Sequence, residues 1–168
     1  MPEEKKETLI QIQARTKPKI EEIIPEYLEG EVKQSLYELL DFCCINKIRY
    51  SWSATNIWKF QLKGKTIGMV YIGKYPCQKA NITKNIWYTH INMDSLFYDF
   101  IVKENLTEVI HKNVLPCAHG SNCNPGKSII FGKEFHGVHG ILYKNPDAIS
   151  LDCIKKLLAF RINLTLGE

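Results

Sequence analysis

The residues best suited to chemistry are cysteines and histidines that cluster in the C-terminal third of the chain. Cys117, His119 and Cys123 are followed by His136 and His139, so two of the six cysteines and three of the five histidines fall within 23 residues. Thiolate and imidazole are the ligands that zinc prefers in proteins. We therefore expect a zinc site formed by Cys117, Cys123 and His139, with His136 or His119 as the fourth ligand.

The spacing of this cluster differs from that of a DNA-reading zinc finger. It reads C-x5-C-x12-H-x2-H, whereas a finger has about two to four residues between its cysteines and about three to five between its histidines. Five glycines and prolines also disfavour the helix that a finger needs, namely Pro125, Gly126, Gly132, Gly137 and Gly140. These residues suit the tight turns of a closed structural knuckle. A glycine-rich surface loop with free thiols and hydrogen-bonded histidines is the alternative.

The same residues leave a catalytic function open. An open zinc site could activate water, or a cysteine could act as a nucleophile beside a histidine base, as in the pairs Cys117 with His119 and Cys123 with His136. The chain has no His-Glu-x-x-His motif to indicate a hydrolytic zinc centre. The segment 124–128 imitates the end of a phosphate-binding P-loop, but its first glycine is replaced by Ser121 and a strand-like segment follows. We therefore reject a P-loop.

Aromatic residues in the predicted strands suggest a second site. We expect a concave sheet face that binds an apolar or planar small molecule, lined by Trp58, Tyr71, Trp87, Tyr88 and His90. The alternative is that these residues form the core beneath the helices, since aromatic side chains in strands usually pack inside.

The length and composition of the chain indicate which class of protein it belongs to. With 168 residues, 45% hydrophobic and 24% charged, the chain has the make-up of one globular domain. We expect a flexible tail over 1–16, with a loose first helix as the alternative, and a single domain over 17–168. The 22 basic residues are nearly matched by 18 acidic ones, which does not favour nucleic acid as a partner and leaves an unknown small molecule or protein. The charged N-terminus and the lack of a long apolar run predict no membrane association and a cytoplasmic location.

Hydrophobic periodicity predicts the elements that would position these side chains. Helical spacing covers about 18–28 and 31–46, where Cys43 and Cys44 are expected to be core thiols. Alternating residues predict a β-hairpin over about 57–72 that turns at Gly64-Lys65, and a third strand over 86–93. Helical segments follow over about 94–112 and 148–162, with a short strand at 128–131. This order predicts an α+β fold: an antiparallel sheet of three or more strands, helices on one face and a glycine-rich Cys/His loop.

Several short segments together resemble known families: Trp58-Lys59, Gly64-Lys65-Thr66, Pro125-Gly126-Lys127, 131–135 (Phe-Gly-Lys-Glu-Phe) and Asn145-Pro146-Asp147. With them, residues 31–161 resemble a group of small uncharacterised clostridial proteins. A helix followed by W-x-F-x-L-K-G-K and a hairpin is similar, more loosely, to the YjbR-like domains, which are small α+β modules without an assigned activity. The resemblance implies the fold and no mechanism. It also implies cysteines in the group where this chain has His119 and His139, an exchange that a zinc site tolerates.

Overall fold

The computed structural model describes residues 7–74, 82–116 and 126–167. The helices in these ranges are α1 Leu9–Thr16, α2 Ile20–Tyr27, α3 Gly30–Ile45, α4 Phe97–Lys103, α5 Thr107–Lys112 and α6 Ala148–Leu166. The strands are β1 Arg49–Ala54, β2 Ile57–Leu62, β3 Lys65–Ile72, β4 Trp87–Ile91, β5 Val114–Pro116, β6 Lys127–Ile130, β7 Lys133–His136, β8 Val138–Ile141 and β9 Tyr143–Lys144.

The strands form one main sheet and two ribbons. The main sheet has the order β1-β2-β3-β4-β9 with every neighbouring pair antiparallel, and β5–β8 and β6–β7 are separate two-stranded ribbons. This arrangement confirms the predicted α+β class and the antiparallel sheet of at least three strands.

The β2–β3 hairpin turns one residue earlier than the sequence predicts. Leu62 pairs with Lys65, so the two central turn residues are Lys63 and Gly64, with φ values of 47° and 81°. Two positive φ values define the type I′ turn, whose twist matches that of the adjoining strands, and glycine adopts such a φ without strain. The first turn position is therefore filled by a lysine in the left-handed region.

The main hydrophobic core combines helices and strands. Burial alternates along β2, where Trp58, Phe60 and Leu62 are buried between half-buried neighbours. These side chains belong to one cluster with residues of α2, α3 and α6, including Ile24, Leu39 and Leu157. Each large apolar side chain that is fully buried contributes about 1.5–3 kcal/mol of transfer free energy. The apolar residues that alternate with polar ones in the sequence of β2 are therefore the residues that the fold buries.

A second, smaller cluster lies on the other side of the same strands. Tyr71 and Tyr88 face each other across β3 and β4 and pack with Leu142. Successive strand residues point to opposite sides of a sheet. Val70 and Ile72 belong to the main core, so Tyr71, which lies between them in β3, points to the other side of the sheet. Strand β3 is therefore buried on both sides along this stretch.

Part of the segment expected to be a flexible tail forms helix α1. Thr8 and Gln11 make a capping box at its start. Gln13 is only 2% exposed; its side-chain oxygen accepts from the Asn56 backbone N–H at 2.9 Å, and its amide donates to Asn56 Oδ1 at 2.6 Å. Hydrophobic periodicity missed this helix because the residue that attaches it to the β1–β2 turn is polar.

Replacing Gln13 by alanine is expected to lower the free energy of unfolding by about 1–3 kcal/mol, because buried polar groups of Asn56 lose their partner. Equilibrium urea denaturation followed by circular dichroism would measure the loss. Gln34→Ala, at an exposed position of helix α3, is the matched control and should change stability by less than about 0.5 kcal/mol. Equal effects of the two substitutions would contradict the docking role of Gln13.

Candidate functional site

Most of the predicted zinc ligands lie outside the described residues. Cys117, His119 and Cys123 fall in 117–125, and His139 belongs to β8 without a described side chain. The exposed His136 ends β7, and its Nε2 lies 3.0 Å from Glu134 Oε1. In the described ranges, no three or more histidine, cysteine, aspartate or glutamate side chains are grouped so that they could hold a metal.

The residues on either side of 117–125 contact the same short stretch of the chain. At one end, Pro116 in β5 pairs with Val138 in β8. At the other, the N–H of Gly137 donates to the carbonyl of Gly126 at 3.2 Å, next to the pairing of Lys127 with His136. The residues that precede and follow the cysteine segment therefore both contact the chain between His136 and His139.

Helices α4 and α5 hold the far end of the β6–β7 ribbon. The ribbon turns at Phe131 and Gly132, and Phe131 has a φ of 45°, which is uncommon for a bulky side chain. Its ring stacks on Tyr98 at 5.4 Å between centroids, and His111 Nε2 lies 2.8 Å from the carbonyl oxygen of Ile130. His111 thus positions the ribbon that ends in His136, a role that its isolated place in the sequence did not indicate.

The five residues predicted to bind a ligand do not line one surface. Trp58 and Trp87 are 1% and 0% exposed and belong to the main core. Their indole N–H groups donate to backbone carbonyls, that of Trp58 to Pro18 at 3.1 Å and that of Trp87 to Val32 at 3.1 Å. The other three, Tyr71, Tyr88 and His90, lie on the opposite side of the sheet strands, where burial raises the pKa of Tyr88.

A small pocket lies beside His90. It has a volume of about 290 Å³, and Ile91, Met93, Ile141 and Leu142 line it together with His90 and Gly140. The Tyr71 hydroxyl lies 3.4 Å from His90 Nδ1. His90 is thus the only one of the five predicted ligand-binding residues that lines this cavity.

The three described thiols differ in environment. Burial raises the pKa of the Cys43 thiol to about 12 and also raises the pKa of Cys153. A raised pKa keeps a thiol protonated and weakens it as a nucleophile, so these two cysteines are packing residues. Cys43 confirms the prediction of a core thiol, whereas Cys44 is exposed. Consecutive helix residues are about 100° apart around the axis, so only one of them faces the core.

A larger groove, which the sequence analysis missed, lies where the ends of four elements meet. Its volume is about 1000 Å³. Lys47, Arg49 and Lys63 line it together with Cys44, and buried Ile48 and Leu62 supply apolar walls. The three basic residues come from the α3–β1 connection, the start of β1 and the β2–β3 turn, so no local motif connects them.

Two regions therefore combine reactive or charged side chains with solvent exposure: the chain around His136, next to the residues that flank the cysteine segment, and the groove lined by Lys47, Arg49 and Lys63.

Among the described helices, none has the length and apolar character that spanning a membrane requires. No protein-family model matches the chain, and no curated protein or solved structure is significantly similar to it.

Proposed function

We propose that the chain is a small-molecule- or partner-binding module whose 117–139 segment is held together by a structural zinc ion. Cys117, Cys123 and His139 bind the ion, with His136 or His119 as the fourth ligand. Zinc suits this set because it binds thiolate and imidazole tetrahedrally and brings no redox chemistry to a thiol site in a reducing cytoplasm.

The observation that carries this proposal is the attachment of both ends of the cysteine segment. Pro116, which precedes Cys117, pairs with Val138, which precedes His139. Gly126 accepts a hydrogen bond from Gly137, which follows His136. The backbone pairing therefore holds the flanks of the cysteine segment beside the chain that carries two histidines, and this proximity supports convergence on one ion.

The partner of His136 also supports a ligand role for this residue. Metal-binding histidines usually hold one ring nitrogen to a carboxylate, which orients the other nitrogen toward the metal. His136 Nε2 lies 3.0 Å from Glu134 Oε1, which leaves Nδ1 to bind the ion. Lys127 contacts the same carboxylate oxygen at 3.0 Å. Glu134 is thus the carboxylate that would orient His136.

Composition gives an energetic reason for a metal at this place. The stretch 116–132 contains Pro116, Gly120, Pro125, Gly126 and Gly132 and few apolar residues. Ordering such a chain costs conformational entropy of about 1–2 kcal/mol per residue, and the burial of so little apolar surface offsets only a small part of that cost. A metal that binds only the folded form supplies the missing stabilisation.

In the proposed module, helices cover one face of the sheet and leave the other to binding. The shared cluster of Trp58 and Trp87 with residues of α2, α3 and α6 supports the covered face. The opposite side carries Tyr71, Tyr88 and His90, with the 290 Å³ pocket beside His90. In this division the two tryptophans are core residues, and His90 is the predicted ligand-binding residue that lines the pocket on the opposite side.

Protein purified without a metal-affinity tag is expected to contain one zinc ion per chain by elemental analysis. Cys123→Ser should abolish the metal content because a tetrahedral site loses one of its thiolates. Removing zinc with a chelator should lower the Tm of the wild type, by about 2–4 °C for each kcal/mol of stability lost in a chain of this size. The Tm of Cys123→Ser should not respond to the chelator.

Cys44→Ser is the matched control, because Cys44 is an exposed thiol outside the segment. This variant should keep both the metal and the chelator-induced shift. Wild-type protein without stoichiometric metal, or equal metal content in Cys123→Ser, would refute the zinc site.

A further inference from the structure

The groove of about 1000 Å³ has a cationic rim. It lies between the end of α3, the start of β1, the β2–β3 turn and the C-terminal part of α6. Lys47, Arg49 and Lys63 line it, all three exposed, and no aspartate or glutamate is among the described residues that line it. The described lining of the groove therefore presents three positive charges and no carboxylate side chain.

These three cations differ from other basic residues nearby. On α6, Lys155 pairs with Glu38, Lys156 with Asp152 and Arg161 with Asp94, at 2.5, 3.1 and 2.9 Å respectively. In the described part of the chain, Lys47, Arg49 and Lys63 form no ion pair and no side-chain hydrogen bond. Like charges on one cleft concentrate the positive potential there and attract anions.

The walls of the groove are apolar below this rim. Ile48 and Leu62 line the groove but are only 2% and 5% exposed, so the apolar surface that a ligand can reach comes from Ile162 and Leu166 of α6. Leu166 is 49% exposed. Apolar surface left open beneath charged groups matches a ligand with a charged head and an apolar body.

A favourable position near the C-terminal end of a helix accounts for only one of the three positive charges. Carbonyl groups at a helix C-terminus carry partial negative charge and favour a nearby cation, and Lys47 follows Asn46, the C-cap residue of α3. Arg49 begins β1 and Lys63 lies in the β2–β3 turn, so neither belongs to a helix end. A role in helix capping therefore leaves two of the three charges unexplained.

We propose that this groove binds a small amphipathic anion: a carboxylate or phosphate head held by Lys47, Arg49 and Lys63, with an apolar chain lying against Ile162 and Leu166. The inference rests on the binding-module part of the proposed function and does not depend on the zinc ion. It gives that module a ligand class and a second site, distinct from the pocket beside His90.

Cys44 provides a reporter within the groove. Its thiol is exposed and lines the cavity, whereas the neighbouring Cys43 is buried with its pKa raised to about 12. A bound ligand should shield Cys44 from alkylation by neutral iodoacetamide. Mass spectrometry of the modified peptide separates Cys44 from the other thiols and uses Cys43 as an internal unreactive reference.

The experiment measures Cys44 alkylation in the full chain with decanoate, decyl phosphate, decanol and inorganic phosphate, each below any micelle-forming concentration. Decanoate or decyl phosphate at about ten times its Kd should slow alkylation about tenfold, and comparison of the two identifies the preferred head. Decanol and inorganic phosphate should protect much less, because each lacks one half of the ligand. Protection should weaken as salt is added, since the exposed charges are screened.

A triple variant tests the cations directly. Lys47→Gln, Arg49→Gln and Lys63→Gln together should raise the Kd of the amphipathic anion at least about tenfold, which is about 1.4 kcal/mol. The matched control removes three charges elsewhere, as Lys33→Gln, Lys103→Gln and Lys144→Gln, and should leave the Kd unchanged. Protection is the ratio of the Cys44 alkylation rates without and with ligand, measured in the same variant. A change in the intrinsic reactivity of Cys44 therefore cancels.

Three results would overturn the inference: equal protection by decanol, no protection by either anion, or an unchanged Kd in the triple variant relative to its control. The comparison of ligands needs only wild-type protein, so it tests the inference even if a variant fails to fold. The same measurement on Cys123→Ser separates the two proposals, because groove binding should survive the loss of zinc.

Discussion

Replacing Trp87 by alanine is expected to lower the free energy of unfolding by about 3–5 kcal/mol, the range for truncation of a buried aromatic residue. Trp87 is fully buried in the main core, and its indole N–H contacts the carbonyl of Val32 at 3.1 Å and the hydroxyl of Ser35 at 3.2 Å. The substitution removes both the packing and the link between β4 and α3. Urea denaturation followed by circular dichroism measures the loss.

Two further variants identify the source of this effect. Trp87→Phe keeps most of the apolar surface and leaves the Val32 carbonyl without its indole donor, so an intermediate loss is expected. Trp52→Ala removes a half-buried tryptophan of edge strand β1 and should cost less than Trp87→Ala. A loss in Trp87→Ala no larger than in Trp52→Ala would contradict the core role.

The antiparallel sheet could be predicted because its signal is local. In β2, Trp58, Phe60 and Leu62 alternate with polar residues, and the structure buries these three. Helix α3 is similar, since Leu36, Leu39, Leu40 and Cys43 repeat at helical spacing and are all buried. One buried side on an otherwise polar segment leaves a period in the sequence.

The division of the aromatic residues between two sides could not be predicted in the same way. Strand β3 has Val70, Tyr71 and Ile72 buried in succession, so no alternation distinguishes its sides. A strand that is buried on both faces appears in sequence as a continuous apolar run. The side of Tyr71 follows from its pairing with Tyr88, which is a long-range contact without a local signal.

The basic groove was invisible in the sequence for a related reason. Lys47, Arg49 and Lys63 lie in separate elements, and each alone resembles an ordinary solvated surface charge. Antiparallel pairing of Arg49 with Gln61 brings the start of β1 beside the end of β2, next to the turn that carries Lys63. The charge cluster is thus a product of strand register and not of any motif.

The free energy of unfolding is expected to fall as the pH rises above about 9, in part because of Cys43. Burial raises the pKa of this thiol from 9.0 to about 12. Between these values the unfolded chain has lost the proton that the folded chain keeps, so stability that is fully present below pH 9 is lost as the pH rises. The slope is about 1.4 kcal/mol per pH unit for one such group, or about 4 kcal/mol at most over three units. Burial also raises the pKa of Tyr143 and that of Cys153, which adds to the loss.

Urea denaturation at a series of pH values between about 8 and 11 measures this slope across the range in which the unfolded thiol ionises. Cys43→Ala should be less stable than the wild type near neutral pH, because truncation in a packed core leaves a small void. Its stability should nevertheless fall less steeply with pH, by about 1.4 kcal/mol per unit, because the buried thiol is gone. The adjacent substitution Cys44→Ala removes an exposed thiol and should keep the wild-type slope. If Cys43→Ala and Cys44→Ala gave the same slope, the alkaline loss would have to come from Cys153 and the buried tyrosines and not from Cys43.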